Sequence, residues 1–158
     1  MSCMFYRSTH FNVDLSRWDV SSVEDMSCMF SDAKLFNGDL SRWDVSNVTN
    51  MRSMFRGTPF TGDISGWNVR KVTDMSRMFA ATPHFNACLS RWDVSRVEDM
   101  SYMFYRAKSF NGDLSRWNFC SVVIRRRMFS GATSYEGVRL WHNRYTVVQE
   151  WSAPFHIY

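Results

Sequence analysis

Apolar residues recur along this chain in blocks of fixed length. Trp stands at 18, 43, 67, 92 and 117, and Met-Phe at 4–5, 29–30, 54–55, 78–79, 103–104 and 128–129, so the step is 25 residues, once 24. A fixed period in the range of roughly 20–50 residues marks a repeat architecture, and it governs every later inference. Within a block, Met26, Met29, Phe30 and Ala33 stand at i, i+3, i+4 and i+7, the spacing of one helical face. Met51/Met54/Phe55, Met75/Met78/Phe79 and Met100/Met103/Phe104/Ala107 repeat it. The pattern predicts a short helix, too short at about two to three turns to be stable alone. Ser21-Ser22-Val23-Glu24 and Ser95-Arg96-Val97-Glu98 match a capping box, although Thr49 and Thr73 replace Glu in two other copies. Phe36-Asn37-Gly38-Asp39 predicts a turn, with Asn and Gly able to take positive φ. Leu40-Ser41-Arg42-Trp43-Asp44-Val45 then predicts an extended segment with Trp43 and Val45 on one face.

One extended segment plus one helix per repeat predicts an α/β, leucine-rich-repeat-like solenoid. The segments would form a parallel sheet at a spacing of ~4.8 Å with the helices on the other side. A propeller blade needs about 40 residues and four strands, more than this period supplies. The solenoid is expected over residues 1–141, as five to six repeats of which the first and last are incomplete. Met1 takes the place of Met26, so the first copy begins midway. The sixth keeps Trp117 and Met128-Phe129 but puts Phe119, Cys120 and Arg125 where Val, Ser and Met stand elsewhere. Residues 142–158, with Tyr145, Trp151, Pro154, Phe155 and Tyr158, have the composition of an aromatic cap or docking tail.

The wording Phe-Asn-x-Asp-Leu-Ser-x-Trp-Asp-Val-Ser-x-Val-Thr-x-Met-x-x-Met-Phe, in four near-complete copies, resembles the bacterial surface-protein 26-residue repeat of the BspA family, a domain family of unknown function. The resemblance covers roughly residues 1–130. It implies a right-handed solenoid with a non-enzymatic role in binding or adhesion, and assigns no catalytic residues. Many such proteins are secreted or surface-attached. The N-terminal Met1-Ser2-Cys3-Met4-Phe5 has no basic segment followed by an apolar run, so no signal peptide is read here. The compartment stays open.

Composition changes this picture little. A hydrophobic content of 45% excludes a disordered chain, and no stretch approaches the ~18–20 apolar residues of a membrane span. The net charge of +4 is mild, with one dense basic run at Arg125-Arg126-Arg127. Asp and Arg otherwise alternate within each repeat, which argues against nucleic acid as the partner.

Candidate chemistry sits in ladders. Asp14, Asp39, Asp63 and Asp113 share a register that Cys88 interrupts; their expected role is to accept backbone N–H bonds in Asx-turns rather than to bind cations. Arg17, Arg42, Arg91 and Arg116 precede each Trp, with Gly66 breaking the series, and Asp19, Asp44 and Asp93 follow two residues later. On an extended segment these charges share an outward face, the expected contact surface for another protein, or alternatively for a glycan or an ion. The Met pairs and the Trp column, with Phe36, Phe60, Phe85 and Phe110 beside it, are expected in the core rather than as soft-metal ligands. Cys3 and Cys28 take the same helical position in adjacent copies; helices pack ~8–10 Å apart, so free thiols are expected. No metal site, cofactor or catalytic set is read: the cysteines form no CxxC, and the histidines share no register.

The ends of a solenoid expose apolar edges. Met1, Met4, Phe5 and Phe11 at one end, and Trp151 and Phe155 at the other, are expected contacts for a neighbouring protein, unless the chain is cut short at its start. The functional expectation is a non-catalytic scaffold for protein–protein interaction, either an accessory or structural subunit of a complex or an adhesion module. Arg17, Arg42, Asp44, Arg91, Asp93, Arg116 and Arg125–Arg127 are its candidate contacts.

Overall fold

The computed structural model describes residues 1–137. The copies lie against one another in sequence order. We number them from the residue that opens each: repeat one 1–25, two 26–50, three 51–74, four 75–99, five 100–124, and six from 125. Neighbouring repeats are hydrogen-bonded in register. The amides of Met26, Cys28, Phe30 and Asp32 donate to the carbonyls of Asn50, Arg52, Met54 and Arg56 at 2.7–3.0 Å. Cys3, Phe5 and Arg7 reach Ser27, Met29 and Ser31 in the same way, at 2.8–2.9 Å. Parallel bridges link Asp25 to Asn50, Asn50 to Asp74, Asp74 to Asp99, and Asp99 to Ile124.

The expected helix does not form. Among the described residues there is no helix and no strand beyond those isolated bridges, which overturns the α/β, right-handed leucine-rich-repeat-like solenoid with one helix and one extended segment per repeat. In place of the helix stand overlapping turns. The Met29 amide donates to the Met26 carbonyl (3.2 Å), Ser31 to Cys28 (3.0 Å) and Ala33 to Phe30 (2.9 Å). Between them, the Phe30 and Asp32 amides leave the repeat altogether, whereas a helix would bond each amide four residues back. Cys28 and Asp32 have φ of 55° and 60°, and a positive φ at the third residue is the mark of a type II turn. The same two positions are left-handed in every other copy: Cys3 and Arg7, Ser53 and Gly57, Arg77 and Ala81, Tyr102 and Arg106, Arg127 and Gly131. Each non-glycine residue so placed costs about 1–2 kcal/mol.

Ring stacking explains why turns prevail. Phe5, Phe30, Phe55, Phe79, Phe104 and Phe129 form one column with centroids 5.5–5.8 Å apart. Phe11, Phe36, Phe60, Phe85, Phe110 and Tyr135 form a second, at 5.7–6.3 Å. The columns face each other, as in Phe30–Phe36 at 3.9 Å. Helices side by side need ~8–10 Å, so helices bearing these Phe residues would pull the rings apart. Turns with interleaved bonds to the next repeat allow the short advance and still satisfy the backbone.

Two smaller expectations fail for related reasons, and a third position does not use its conformational freedom. Neither capping box forms: the Ser21 hydroxyl donates to Asp19 Oδ1 (2.6 Å), the Ser95 amide donates to Asp93 Oδ1 (3.1 Å), and the Glu24 carbonyl receives the Thr49 amide (2.8 Å). The segment Leu40–Val45 is folded by a Trp43 amide bond to Leu40 (3.1 Å) rather than extended. Asn37 and Gly38 do not take positive φ. Glycine there supplies space instead: at the equivalent Gly62 a Cβ would lie 2.7 Å from the Phe60 ring.

The core is what the period promised. Met26, Met29, Met51, Met54, Met75, Met78, Met100 and Met103 are fully buried together with the inner members of the Phe columns, Phe30 to Phe110. Trp43, Trp67, Trp92 and Trp117 are nearly so, and each indole N–H donates to a carbonyl of the preceding repeat: Leu15, Leu40, Ile64 and Leu89, at 2.9–3.1 Å. Repeat three is one residue shorter. There Thr58 and, from repeat four, Thr82 are buried where Ala33 and Ala107 stand, and both hydroxyls donate to the Phe55 carbonyl (2.7 and 3.1 Å).

Candidate functional site: a surface divided by charge

Most of the polar repeat letters are committed to local structure. Asp14, Asp39, Asp63 and Asp113 each accept, through Oδ1, the amide of the Ser two residues on, at 2.8–2.9 Å. Bonds from those Ser residues hold the four carboxyls below the usual carboxylate range. At Cys88 the Ser90 hydroxyl lies 3.2 Å from the thiol. The arrangement recurs at two more corners. Asp19, Asp44 and Asp93 accept the amides of Ser21, Ser46 and Ser95 (3.0–3.1 Å). Asp25, Asp74 and Asp99 accept those of Ser27, Ser76 and Ser101 (2.7–2.8 Å). Asp-x-Ser therefore writes three Asx-turns into a repeat. A further Asn row joins repeats: Asn12, Asn37, Asn86 and Asn111 side chains accept the amides of Asn37, Thr61, Asn111 and Glu136 at 2.8–3.0 Å.

Arg17, Arg42, Arg91 and Arg116 are exposed, as is Asp44, and Asp93 is half-buried. They do not pair along their ladder. Among the described residues the ion pairs are Lys34–Asp32 (2.7 Å), Arg56–Asp32 (2.7 Å) and Arg70–Asp93 (3.1 Å). Gly66 is exposed with open space around it. At the first edge Met4 is 48% and Trp18 38% exposed, while Met1, Phe5 and Phe11 are half-buried. Trp151 and Phe155 lie outside the described residues, as does the proposed cap.

The more informative division runs across the repeat. The first eleven positions of the six copies hold ten Lys and Arg against one carboxylate, Asp32; positions twelve onward of the first five hold seven against twelve of the chain's 15 Asp and Glu. Sequence reading missed this because the basic residues change column from copy to copy: Arg52 at the second position, Arg77 at the third, Arg56 at the sixth, Arg7 and Arg106 at the seventh. The turns bring these columns to one face. Arg52, Arg56 and Arg77 converge on a hollow of about 290 Å³ floored by Cys28 and the buried Ser31 and Ser53. Arg126 and Arg127 continue the same columns, the Arg126 carbonyl accepting the Tyr102 amide (2.8 Å). Arg7, Arg77 and Arg106 lie over the rings of Tyr6, Tyr102 and Tyr105, each 5.0 Å from the centroid. Asp32 is partly buried, which raises its pKa, but Lys34 and Arg56 outweigh burial and hold it charged below its ordinary value.

Cys3, Cys28, Cys88 and Cys120 are free thiols. The helix-spacing argument for this fails, since no helices separate them. Burial, then the neighbouring Cys3, pushes the Cys28 thiol up. No group of three His, Cys, Asp or Glu residues among the described residues is arranged to hold a metal ion, and no helix there is long and apolar enough to cross a membrane.

A family model described as a Mycoplasma protein of unknown function, DUF285, matches residues 1–66 and again 57–155. The chain belongs to this family. The two matches overlap over residues 57–66 and together span nearly its whole length, as expected for a repeated unit. Among curated proteins and among solved structures, no match was found.

Proposed function

We propose that this protein is a non-catalytic repeat scaffold for protein–protein interaction, serving as an accessory or structural subunit of a larger assembly or as a surface-type adhesion module. The observation that supports it most is how the polar side chains are spent. The Asp, Asn and Ser letters of the repeat close turns or tie one copy to the next, and what stays outward is a long side-chain surface sorted by charge. Such a surface suits an extended partner rather than a small substrate. The motif's likeness to the BspA-type surface-protein repeat agrees with a binding role.

The test is to compare the native particle with the isolated chain by size and composition. A native particle heavier than the 18.7 kDa chain, containing a second polypeptide in fixed ratio, supports the scaffold. A native protein running at its own mass, with no second polypeptide bound, contradicts it.

A further inference from the structure

We propose that the basic, tyrosine-bearing face centred on Arg52, Arg56 and Arg77 is the docking surface, and that its occupant is an acidic, extended segment of a partner protein. The inference deepens the scaffold reading and rests on it. Charge complementarity carries it: ten basic residues against Asp32 alone in the first eleven repeat positions, while the rest of the repeat is net acidic. Asp32 is already taken by Lys34 and Arg56. Arg52 and Arg77 flank the hollow, and among the described residues neither has a carboxylate partner within 4.0 Å. A guanidinium fork so placed matches a carboxylate with two parallel bonds.

The face is also long. Arg7 belongs to repeat one and Arg126 to repeat six, five advances that amount to roughly 24 Å at a ladder spacing of ~4.8 Å. Contact must run through side chains across repeats two to five, because the amides along this face there are already bonded to the next repeat or within their turns. The tyrosines help decide against single-stranded nucleic acid, which needs free aromatic faces for base stacking. Here Tyr6, Tyr102 and Tyr105 each carry an arginine over the ring, which anchors that arginine at the surface.

The test exploits the repeat itself. Ser27 and Ser76 occupy the register of Arg52, Ser31 that of Arg56, and Ser53 that of Arg77, so Arg52→Ser/Arg56→Ser/Arg77→Ser introduces only residues the fold already carries there. Binding of a fluorescent poly-glutamate peptide is measured for the full chain, for this triple variant, and for Arg17→Ala/Arg42→Ala/Arg91→Ala, which removes equal charge from the other ladder. The double variant Arg52→Ser/Arg77→Ser, which keeps the Arg56–Asp32 pair, serves if the triple does not fold. The expected result is salt-sensitive binding that falls at least about tenfold in the serine variants and less than about threefold in the control. Equal losses in both triples, no binding, or tighter binding of an oligothymidylate or a sulfated glycan would overturn the proposal. So would dimerisation at low salt that the serine variants abolish, since it would assign the face to a second copy. If poly-glutamate fails while a second polypeptide still accompanies the native protein, this face is wrong and the scaffold stands. If no polypeptide accompanies it, the scaffold reading itself has failed.

Discussion

Trp67 and Trp18 occupy the same place in their repeats and live in different surroundings. Trp67 is 4% exposed, stacks 6.5 Å from Trp92 and gives its indole N–H to Leu40. Trp18 is 38% exposed and, among the described residues, its one ring contact is a tilted one with Phe5. The contrast shows where stability resides. A repeat closes its own turns and one facing ring pair, but its ring columns, alternate amides and indole are satisfied by the copy before it and the copy after it. This is the nearest-neighbour energetics of repeat proteins at the level of single side chains.

The contrast can be broken at the centre first. Phe55→Ala removes a ring stacked on Phe30 and Phe79 and facing Phe60, and should cost about 3–5 kcal/mol in denaturant unfolding. Phe5→Ala, at the half-buried edge, should cost clearly less; equal losses would refute the neighbour account. Next comes the indole bond. Trp67→Phe takes the indole donor from the Leu40 carbonyl, which keeps the Trp43 amide, and also removes buried ring volume; together these should cost about 1–3 kcal/mol, whereas Trp18→Phe should change stability little. A smaller effect is expected at the left-handed turn. Gly57 has φ of 68°, and a Cβ there would lie 2.5 Å from Asp32 Oδ1, so Gly57→Ala should lose about 1–2 kcal/mol. Ala81→Gly in the next repeat, where φ is 54°, should be neutral or slightly stabilising by thermal melting.

The mildest prediction concerns pH. Asp19 and Asp44 have carboxyls held below the ordinary value by bonds from Ser21 and Ser46. A lowered folded pKa gives stability that is present above the unfolded value of about 3.9 and is lost as pH falls through the folded one. Asp19→Asn/Asp44→Asn keeps the acceptor, as Asn68 and Asn118 do in their copies. It should flatten that acid loss in melts taken from neutral pH downward. An unchanged acid profile would remove these turns from the account.

Much of the molecule was legible in its letters: the period, the buried Met, Phe and Trp columns, and the Asx role of Asp39 and its equivalents. The local structure between them was not. Met26, Met29, Phe30 and Ala33 face inward from a helix and from overlapping turns alike, because both bring every third or fourth side chain to one side. What separates the two is a left-handed backbone at Cys28 and Asp32, and in other copies at Arg77 and Tyr102; of these residue types only Asp favours that conformation. The tertiary gain, ring stacks that need a short repeat advance, overrides local preference, and one sequence window does not contain it. The basic face was hidden for a different reason. Its arginines occupy different columns in different copies, so a search for ladders passes over them until the turns set Arg52, Arg56 and Arg77 around one hollow.

The central claim is that Met-x-x-Met-Phe is a run of turns bonded to the following repeat. Scalar coupling across hydrogen bonds, measured by NMR on labelled protein, tests it directly. The Phe30 amide should couple to the Met54 carbonyl, and the Phe55 amide to that of Met78. Coupling of Phe30 instead to the carbonyl of Met26, four residues back, would show a helix and contradict the account.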